Sequence, residues 1–292
     1  MISYVTAVYN RELLIVDLYN SLVSQTDLDF EWLVIDDGST DHTYETINKL
    51  VNIAPFSMKV FRHENSGKHK SLNYLTNHSC ALTTLYVFID SDDLMLPHAT
   101  AYIKSVWNGI DVNNKEKLIG LFCPFVKGHN IDSVSNDFTS NDLNIFMNGK
   151  AAKDYLLKSQ DLLPIIRKDL FDSKKFPEFD GENFIPESAL WDSLLMSAGA
   201  IFPHSEVAVV RYQADGLSSK ALKLRLKNIN GTIFTYEQAL HANFSLKFRF
   251  FSLINYYRFL LHSRKKIKFY LYFYPVFWIG VIFYFKDRLL HL

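Results

Sequence analysis

Along the first 125 or so residues, apolar and polar positions follow two alternating periods. Short apolar runs, "ISYVTAV" (2–8), "FEWLVID" (30–36), "MKVFRH" (58–63) and "TLYVFID" (84–90), are separated by helix-length segments. In the first of these, "ELLIVDLYNSLVSQ", Leu13, Leu14, Leu18, Leu22 and Val23 fall near one helical face. Ser39, Thr40 and Asp41 are N-cap types ahead of "HTYETINKLVNI", and Pro97 opens "PHATAYIKSVW". "ENSGKHKSLNYLTNHS" reads as a loop running into a helix. Near-continuous apolar strands separated by helices predict an α/β fold, with a mostly parallel sheet covered on both faces.

The remainder is less regular. Residues 127–163 are polar and rich in Asn, Asp and Ser, as expected of an excursion from the core. "LLPIIR" resumes strand character, "GENFIPESALWDSLLMSAG" turns into a helix opened by Pro186, and "VAVVRYQ" is the last strand expected. A boundary near Gly216 divides a domain of residues 1–215 from a helical, basic and aromatic region of residues 216–292.

Composition narrows the function. The 292 residues carry equal numbers of acidic and basic side chains, 31 each, which argues against a nucleic-acid partner. Cys80 and Cys123 have neither metal-type spacing nor the number for a disulfide framework. "MISYVTAVYN" has no signal-peptide pattern, so a cytoplasmic chain is expected. Late in the chain, "FYLYFYPVFWIGVIFYF" (269–285) is uncharged, with "RKKIK" before it and "KDR" after. A spanning helix needs about 20 apolar residues, and Pro275 lies near the middle of this run. Basic flanks and aromatic side chains suit peripheral contact through 265–288 at the inner face of the cell membrane. The alternative is an aromatic helix packed on protein.

The chemistry-bearing loops all follow strands. "YNR" follows the first, "DDGSTD" the second, "ENSGKHK" the third and "DSDD" the fourth. In parallel sheets ligands bind beyond the carboxyl ends of strands, so the four converge on one edge. Two carboxylates two residues apart, Asp90 and Asp92, suit Mg2+ or Mn2+; the alternative is a cap for the helix after Pro97. A carboxylate in "VIDDGSTD" can accept the imide N–H of a pyrimidine, or the stretch is an ordinary turn. Lys68 and neighbouring N–H groups can meet phosphate or sugar oxygens, or they form a solvated helix start. Glu187, expected in the first turn of its helix, can serve as a general base or simply satisfy the helix end. Asp192, five residues on, points to another face.

In this order, "VTAVYNRELL", "SLVSQTDLDFEWLVIDDGSTDHT", "ENSGKHKSLN" and "FIDSDDLMLP" resemble the family 2 glycosyltransferases of the GT-A fold. The resemblance covers residues 2–108 closely. "FPEFDGENFIPESALWD" and "VRYQADGLSS" are similar to a bacterial, non-processive subgroup and extend it to about 220.

The resemblance implies transfer of a sugar, with inversion, from a nucleotide-diphosphate donor to an acceptor hydroxyl, in surface polysaccharide or glycolipid synthesis. Ala7 and Tyr9 would line the nucleotide pocket and Asp37 would bind the base. Asn10, Arg11, Asn65, Gly67, Lys68, Asn73, Asp90 and Ser91 would contact the nucleotide sugar. Asp92, with Asp90, would hold the Mn2+ or Mg2+ cofactor, and Asp93 is expected to hold the following turn. Glu187 matches the catalytic base, although the family's "ED" pair reads Pro186–Glu187 here. Leu72 stands before Asn73 where many members carry Arg. The sequence has no QxxRW motif, which favours addition of single sugars over polymer synthesis. The acceptor is expected to be a saccharide or lipid-linked. Two alternatives remain at this point. A nucleotidyltransferase would carry a Gly-rich basic loop after the first strand, which "YNRELL" lacks; a membrane-held sugar-nucleotide-binding pseudoenzyme would not need Asp37, Asp90, Asp92 and Glu187 intact.

Overall fold

The computed structural model of the chain describes residues 1–79, 81–128, 145–158, 162–211, 213, 220–263 and 274–290. Cys80, the centre of the polar excursion, the expected boundary at Gly216 and residues 265–273 of the expected membrane contact lie outside the described residues.

Strands β1 (Ile2–Val8), β2 (Phe30–Asp36), β3 (Ser57–Arg62) and β4 (Leu85–Phe88) form where the apolar runs predict them. Side chains alternate across a strand; in β1, β2 and β4 both faces are buried, whereas β3, at the sheet edge, is only partly covered. Tyr4, Trp32, Val34 and Val87 enter one core. Val5, Leu33, Ile35, Tyr86 and Phe88 enter the other. The first core is closed by α1 (Leu14–Val23), α2 (Thr43–Val51) and α4 (Ala99–Asn108). On α1 the buried face is Ile15, Leu18, Tyr19 and Leu22, whereas Leu13 and Val23 are exposed, so the expected stripe is rotated by part of a turn. The second core is closed by α3 (Lys68–His78), α6 (Gly149–Leu156), α7 (Lys168–Lys174) and α8 (Ser188–Leu195).

The sheet order is β3-β2-β1-β4-β8-β6-β10-β5. Here β5 is Leu94–Met95, β6 Leu118–Lys127, β8 Leu162–Arg167 and β10 Ala208–Val210. In addition β9 (Gly199–Phe202) pairs with β6, and β7 (Ile145–Met147) with β9. Seven of these strands share one direction; β5, β7 and β8 run against their neighbours. The expectation of a mostly parallel sheet holds, with "LLPIIR" reversed between β4 and β6. Chain order turns back between β1 and β4, the switch point at which open α/β sheets bind ligands.

The described residues after 216 form helices α9 (Ala221–Lys227), α10 (Ile229–His241), α11 (Leu246–Ser263) and α12 (Tyr274–Leu289). It is not detached. Ala242 and Phe244 are buried in the second core, and α10 packs on α8. Pro275 is the second residue of α12 rather than a mid-helix break, and there its missing N–H costs no helical bond. No described helix is long and apolar enough to cross a membrane.

Candidate active site

At the carboxyl ends of β1 and β2 two loops are stitched together. Asn10, at φ +50°, donates its backbone N–H to Ser39 Oγ (2.9 Å) and accepts Thr40 N–H on Oδ1 (2.8 Å). Asn tolerates this left-handed conformation because its short amide can bond locally. Arg11 N–H reaches Thr43 Oγ1 at 2.8 Å. The N-cap position of α2 is His42; one residue before it, Asp41 Oδ1 accepts the N–H of Thr43, the first residue of the helix. Asn10 thus braces the rim.

The third loop is pinned by Asp37. Its buried carboxylate accepts the N–H groups of Ser66 (2.8 Å) and Gly67 (2.9 Å), while Asn65 Nδ2 donates to its backbone carbonyl. Gly38 (φ +71°) and Gly67 (φ +99°) permit this closeness. A Cβ on Gly38 would come within 2.6 Å of Asn65 N, and one on Gly67 within 1.9 Å of Asn183 O. The structure therefore uses Asp37, Asn65 and Gly67 to fold the loop that presents Lys68. Asn73 is turned away from the rim. Its buried amide donates to Phe176 O and Glu178 Oε1 and accepts Phe176 N–H, so its hydrogen bonds hold segment 176–178.

Lys68, the first residue of α3, meets both halves of the site. Its Nζ lies 2.5 Å from Asp90 Oδ1 and 2.6 Å from Glu187 Oε1, two carboxylates almost one hundred residues apart in the chain. Burial alone would lower the Lys68 ammonium, but the charges of Asp90 and Glu187 hold it far above the ordinary lysine range. Glu187 is one residue short of the expected first turn, at the N-cap position of α8, and its side chain makes no capping bond. It faces Lys68, with Trp191 Nε1 3.5 Å from its other oxygen. The helix-end alternative for Glu187 is thereby excluded.

The fourth loop gathers Asp90, Asp92 and Asp93, whose carboxylate oxygens lie within 4.8 Å of one another. None of them caps α4; its N-cap is His98, whose side chain makes no capping bond. Asp90 is exposed, Asp92 half-buried, and Ser91 and Asp93 buried. Burial, then the charge of Asp90, push the Asp92 carboxyl above its ordinary value, against the pull of Arg11 and Lys68. Burial first, then Asp90 and Asp92, raise Asp93 to about 8, against its bond from Arg211.

Asp93 does not hold the following turn as expected. It reaches across to the exit of β10, accepting Arg211 N–H on Oδ1 at 2.9 Å. Arg211 also donates from Nε to Asp92 O (2.6 Å) and from Nη1 to Asp17 Oδ2 (2.7 Å). Sequence reasoning missed Arg211. The signal was its place at the end of "VAVVR", since a parallel last strand delivers its next residue to the same sheet edge.

Of the other expected residues, Ala7 is half-buried at the end of β1 and Tyr9 is exposed on the rim. Asp192 lies away from the site, 2.5 Å from Lys153 Nζ of α6, both buried. A cavity of about 270 Å³ beside α3 is lined by His63, Ser66, Lys70, Tyr74 and Asn77 together with Asn73 and Glu178. It contains none of the carboxylates that Lys68 and the fourth loop bring together.

Comparison with known proteins finds glycosyltransferases. The sequence model "Glycosyl transferase family 2" matches residues 3–114. An uncharacterised glycosyltransferase of Nostoc sp. is 32% identical over 111 residues, 38% of this chain and 34% of the relative. Glycosyltransferase GlyG of Streptococcus pneumoniae is 22% identical over 225 residues, 74% of this chain and 72% of the relative. The chain covers about a third of the length of the first curated relatives it matches. Among solved structures, S. aureus TarS 1–349 in complex with UDP-GlcNAc superposes with a TM-score of 0.60 at 19% identity, over 98% of this chain and 80% of that one. Mannosyltransferase PcManGT from Pyrobaculum calidifontis, in complex with GDP-Man and Mn2+, gives 0.54 at 15% identity, over the same shares. At such identities the likeness is one of fold: the GT-A arrangement with a helical C-terminal region. The resemblance to family 2 read from the motifs is met by the family model and by the glycosyltransferase relatives.

Proposed function

We propose that the chain is an inverting glycosyltransferase that moves one sugar from a nucleotide-diphosphate sugar, a UDP-sugar foremost, to a hydroxyl of a saccharide or lipid-linked acceptor. The observation that carries it is the meeting of Asp90, Asp92 and Glu187 around Lys68 at the switch point of the sheet. The family match and the UDP-GlcNAc complex of TarS support the donor class.

The donor set fits a hard divalent cation, Mn2+ or Mg2+. Asp90, Asp92 and Asp93 offer carboxylate oxygens alone, close together, and burial, then the charge of the neighbouring carboxylates, holds Asp92 and Asp93 above their ordinary range. With one Asp93 oxygen bound to Arg211 N–H, Asp90 and Asp92 are the pair that would hold the cation. When bound, a divalent cation supplies neutralisation of the charge left on a departing diphosphate.

The chain's own groups account for the rest. Lys68 places an ammonium beside Asp90, within reach of the same diphosphate. Glu187 takes the proton of the acceptor hydroxyl as its oxygen forms the bond to the anomeric carbon. The old glycosidic electron pair leaves with the diphosphate, and a single displacement of this kind inverts the centre. Ala7 and Tyr9 flank the nucleotide side of the rim, and Asp37 and Asn65 shape the loop that closes it.

The test is a panel of UDP-, GDP- and dTDP-sugars with Mn2+, read as thermal stabilisation and as transfer or donor hydrolysis. The right donor should raise the melting temperature, because it binds the native state alone. Asp92→Asn should remove the Mn2+-dependent part of that rise, whereas Glu187→Gln should keep it and lose transfer. No stabilisation by any donor with metal present overturns the proposal.

A further inference from the structure

Helix α12 has two opposed faces. Val276, Gly280 and Asp287 turn inward onto α11; a Cβ on Gly280 would come within 2.9 Å of Tyr257 Cβ, so the two helices touch closely. At 100° per residue, Trp278, Ile282, Phe285 and Leu289 fall on the opposite side. They are 50%, 67%, 58% and 80% exposed, an unbroken apolar stripe along the helix.

The charge of the C-terminal region is almost all of one sign. Residues 216–292 hold 13 of the 31 Lys and Arg and 2 of the 31 Asp and Glu, a net +11 balanced by −11 in residues 1–215. Beyond Glu237 the sequence has one acidic side chain, Asp287. It is turned away from the stripe and buried, held by Arg258 Nε at 2.6 Å and His262 Nε2 at 3.1 Å. Burial would raise the Asp287 carboxyl, but Arg258 and His262 hold it below the usual range. On the outer side, exposed Lys286 and Arg288 flank the stripe to either hand.

We propose that the outer face of α12 is a docking surface for an anionic lipid bilayer, on which the helix lies in the plane of the interface. A second copy of the chain is disfavoured as the occupant, because two such faces would bring net positive regions together. An anionic bilayer answers both features at once: its headgroups attract Lys286 and Arg288, and its acyl boundary takes up Trp278, Ile282, Phe285 and Leu289. As described, Tyr274–Leu289, α12 is not long and apolar enough to cross a membrane. This inference does not depend on the sugar-transfer chemistry.

The test is flotation of the full chain with phosphatidylcholine vesicles, pure or containing one third phosphatidylglycerol. Binding is expected to the anionic vesicles, to weaken as salt rises, and to fall about 100-fold in an Ile282→Glu/Phe285→Glu variant, which loses two buried apolar anchors. Nucleotide-sugar stabilisation of that variant in solution should match the parent's, so a failed donor panel and a failed lipid test are separate results. Should the variant not fold, Lys286→Glu/Arg288→Glu and quenching of Trp278 by brominated lipid, absent in Trp278→Phe, carry the same test. Equal binding to neutral vesicles, unchanged binding of a folded variant, or a dimer that dissociates on Ile282→Glu without any lipid binding by the parent overturns the proposal.

Discussion

Lys68 competes for the group that a cation would use. Its ammonium contacts Asp90 Oδ1 and Glu187 Oε1, and both partners are about half exposed, so each contact is worth little in stability. In the proposed reaction its weight would lie where charge develops on the diphosphate. Lys68→Met removes the competitor and the diphosphate contact together, so two readouts should move in opposite directions. Mn2+ alone, followed by calorimetry, should bind up to about tenfold more tightly. Transfer should fall by about 100-fold or more, as when a preorganised charge is deleted from a transition state. Weaker Mn2+ binding would show that Lys68 supports the acidic cluster rather than competing with it. The sequence showed Lys68 as a phosphate-reaching cation and Glu187 as a carboxylate. It did not show that they meet, because that contact depends on α3 and α8 arriving at one sheet edge. His69, next in the chain, reads equally well as part of a basic loop, yet it is buried. Burial first, then Lys70, lower it to about 4. A histidine depressed below its unfolded value of about 6.5 leaves stability intact above pH 6.5 and removes it as pH falls toward 4. His69 should therefore account for up to about 3 kcal/mol of acid destabilisation in that window. His69→Gln should flatten the melting-temperature profile between pH 6.5 and 4; an unchanged slope would assign the loss to other groups.

Helix α8 carries the candidate base, so what fixes α8 fixes Glu187. Its inner face, Ala189, Leu190, Leu194 and Leu195, is held by the second core, and α6 adds one polar tie, the Lys153–Asp192 pair. Burial keeps the Asp192 carboxyl above its ordinary value in spite of Lys153, whose ammonium also lies 4.6 Å over the Phe248 ring. Breaking such a pair from one side strands a buried charge, so Asp192→Ala should cost about 3–5 kcal/mol. Replacing both by apolar residues, Lys153→Met with Asp192→Leu, should recover most of that, measured by denaturant unfolding. A double variant no better than the single would mean that the pair also specifies how α6 docks. Elements of this kind were legible in uneven measure. β1, β2 and β4 were plain, because burial on both faces makes an apolar run with no helical period. For the same reason the reversal of β8 was hidden: "LLPIIR", buried on either side, carries no mark of direction. β5 and β7 span two and three residues, too short to show any period.

At the scale of the whole molecule, the composition shift near Gly216 suggests two parts, whereas the packing joins them. Glu182, buried in the segment that crosses Gly67, accepts Asn230 N–H at 2.7 Å and Gly231 N–H at 2.8 Å. It thereby holds the first turn of α10, where the helix dipole favours a carboxylate. Asn228, also buried, returns the contact by accepting the N–H groups of Asn183 and Phe184. Segment 181–187 thus lies between the rim of the candidate site and the C-terminal helices and is held from both sides. Sequence composition could not show this, because a basic, aromatic stretch reads alike whether it docks or stands apart. Cutting the chain at residue 215 would leave Glu182 buried without its donors and strip Ala242 and Phe244 from the second core. Residues 1–215 alone should therefore be insoluble or melt at least about 10 °C below the full chain, and should not show donor stabilisation. Glu182→Ala in the full chain tests the joint itself. It should lower stability by about 1–3 kcal/mol, as for a capping carboxylate with two backbone partners, and weaken donor binding through the loosened segment. A stable, donor-binding fragment of 215 residues would instead make the C-terminal helices an appendage and leave the joint at Glu182 without a role in the site.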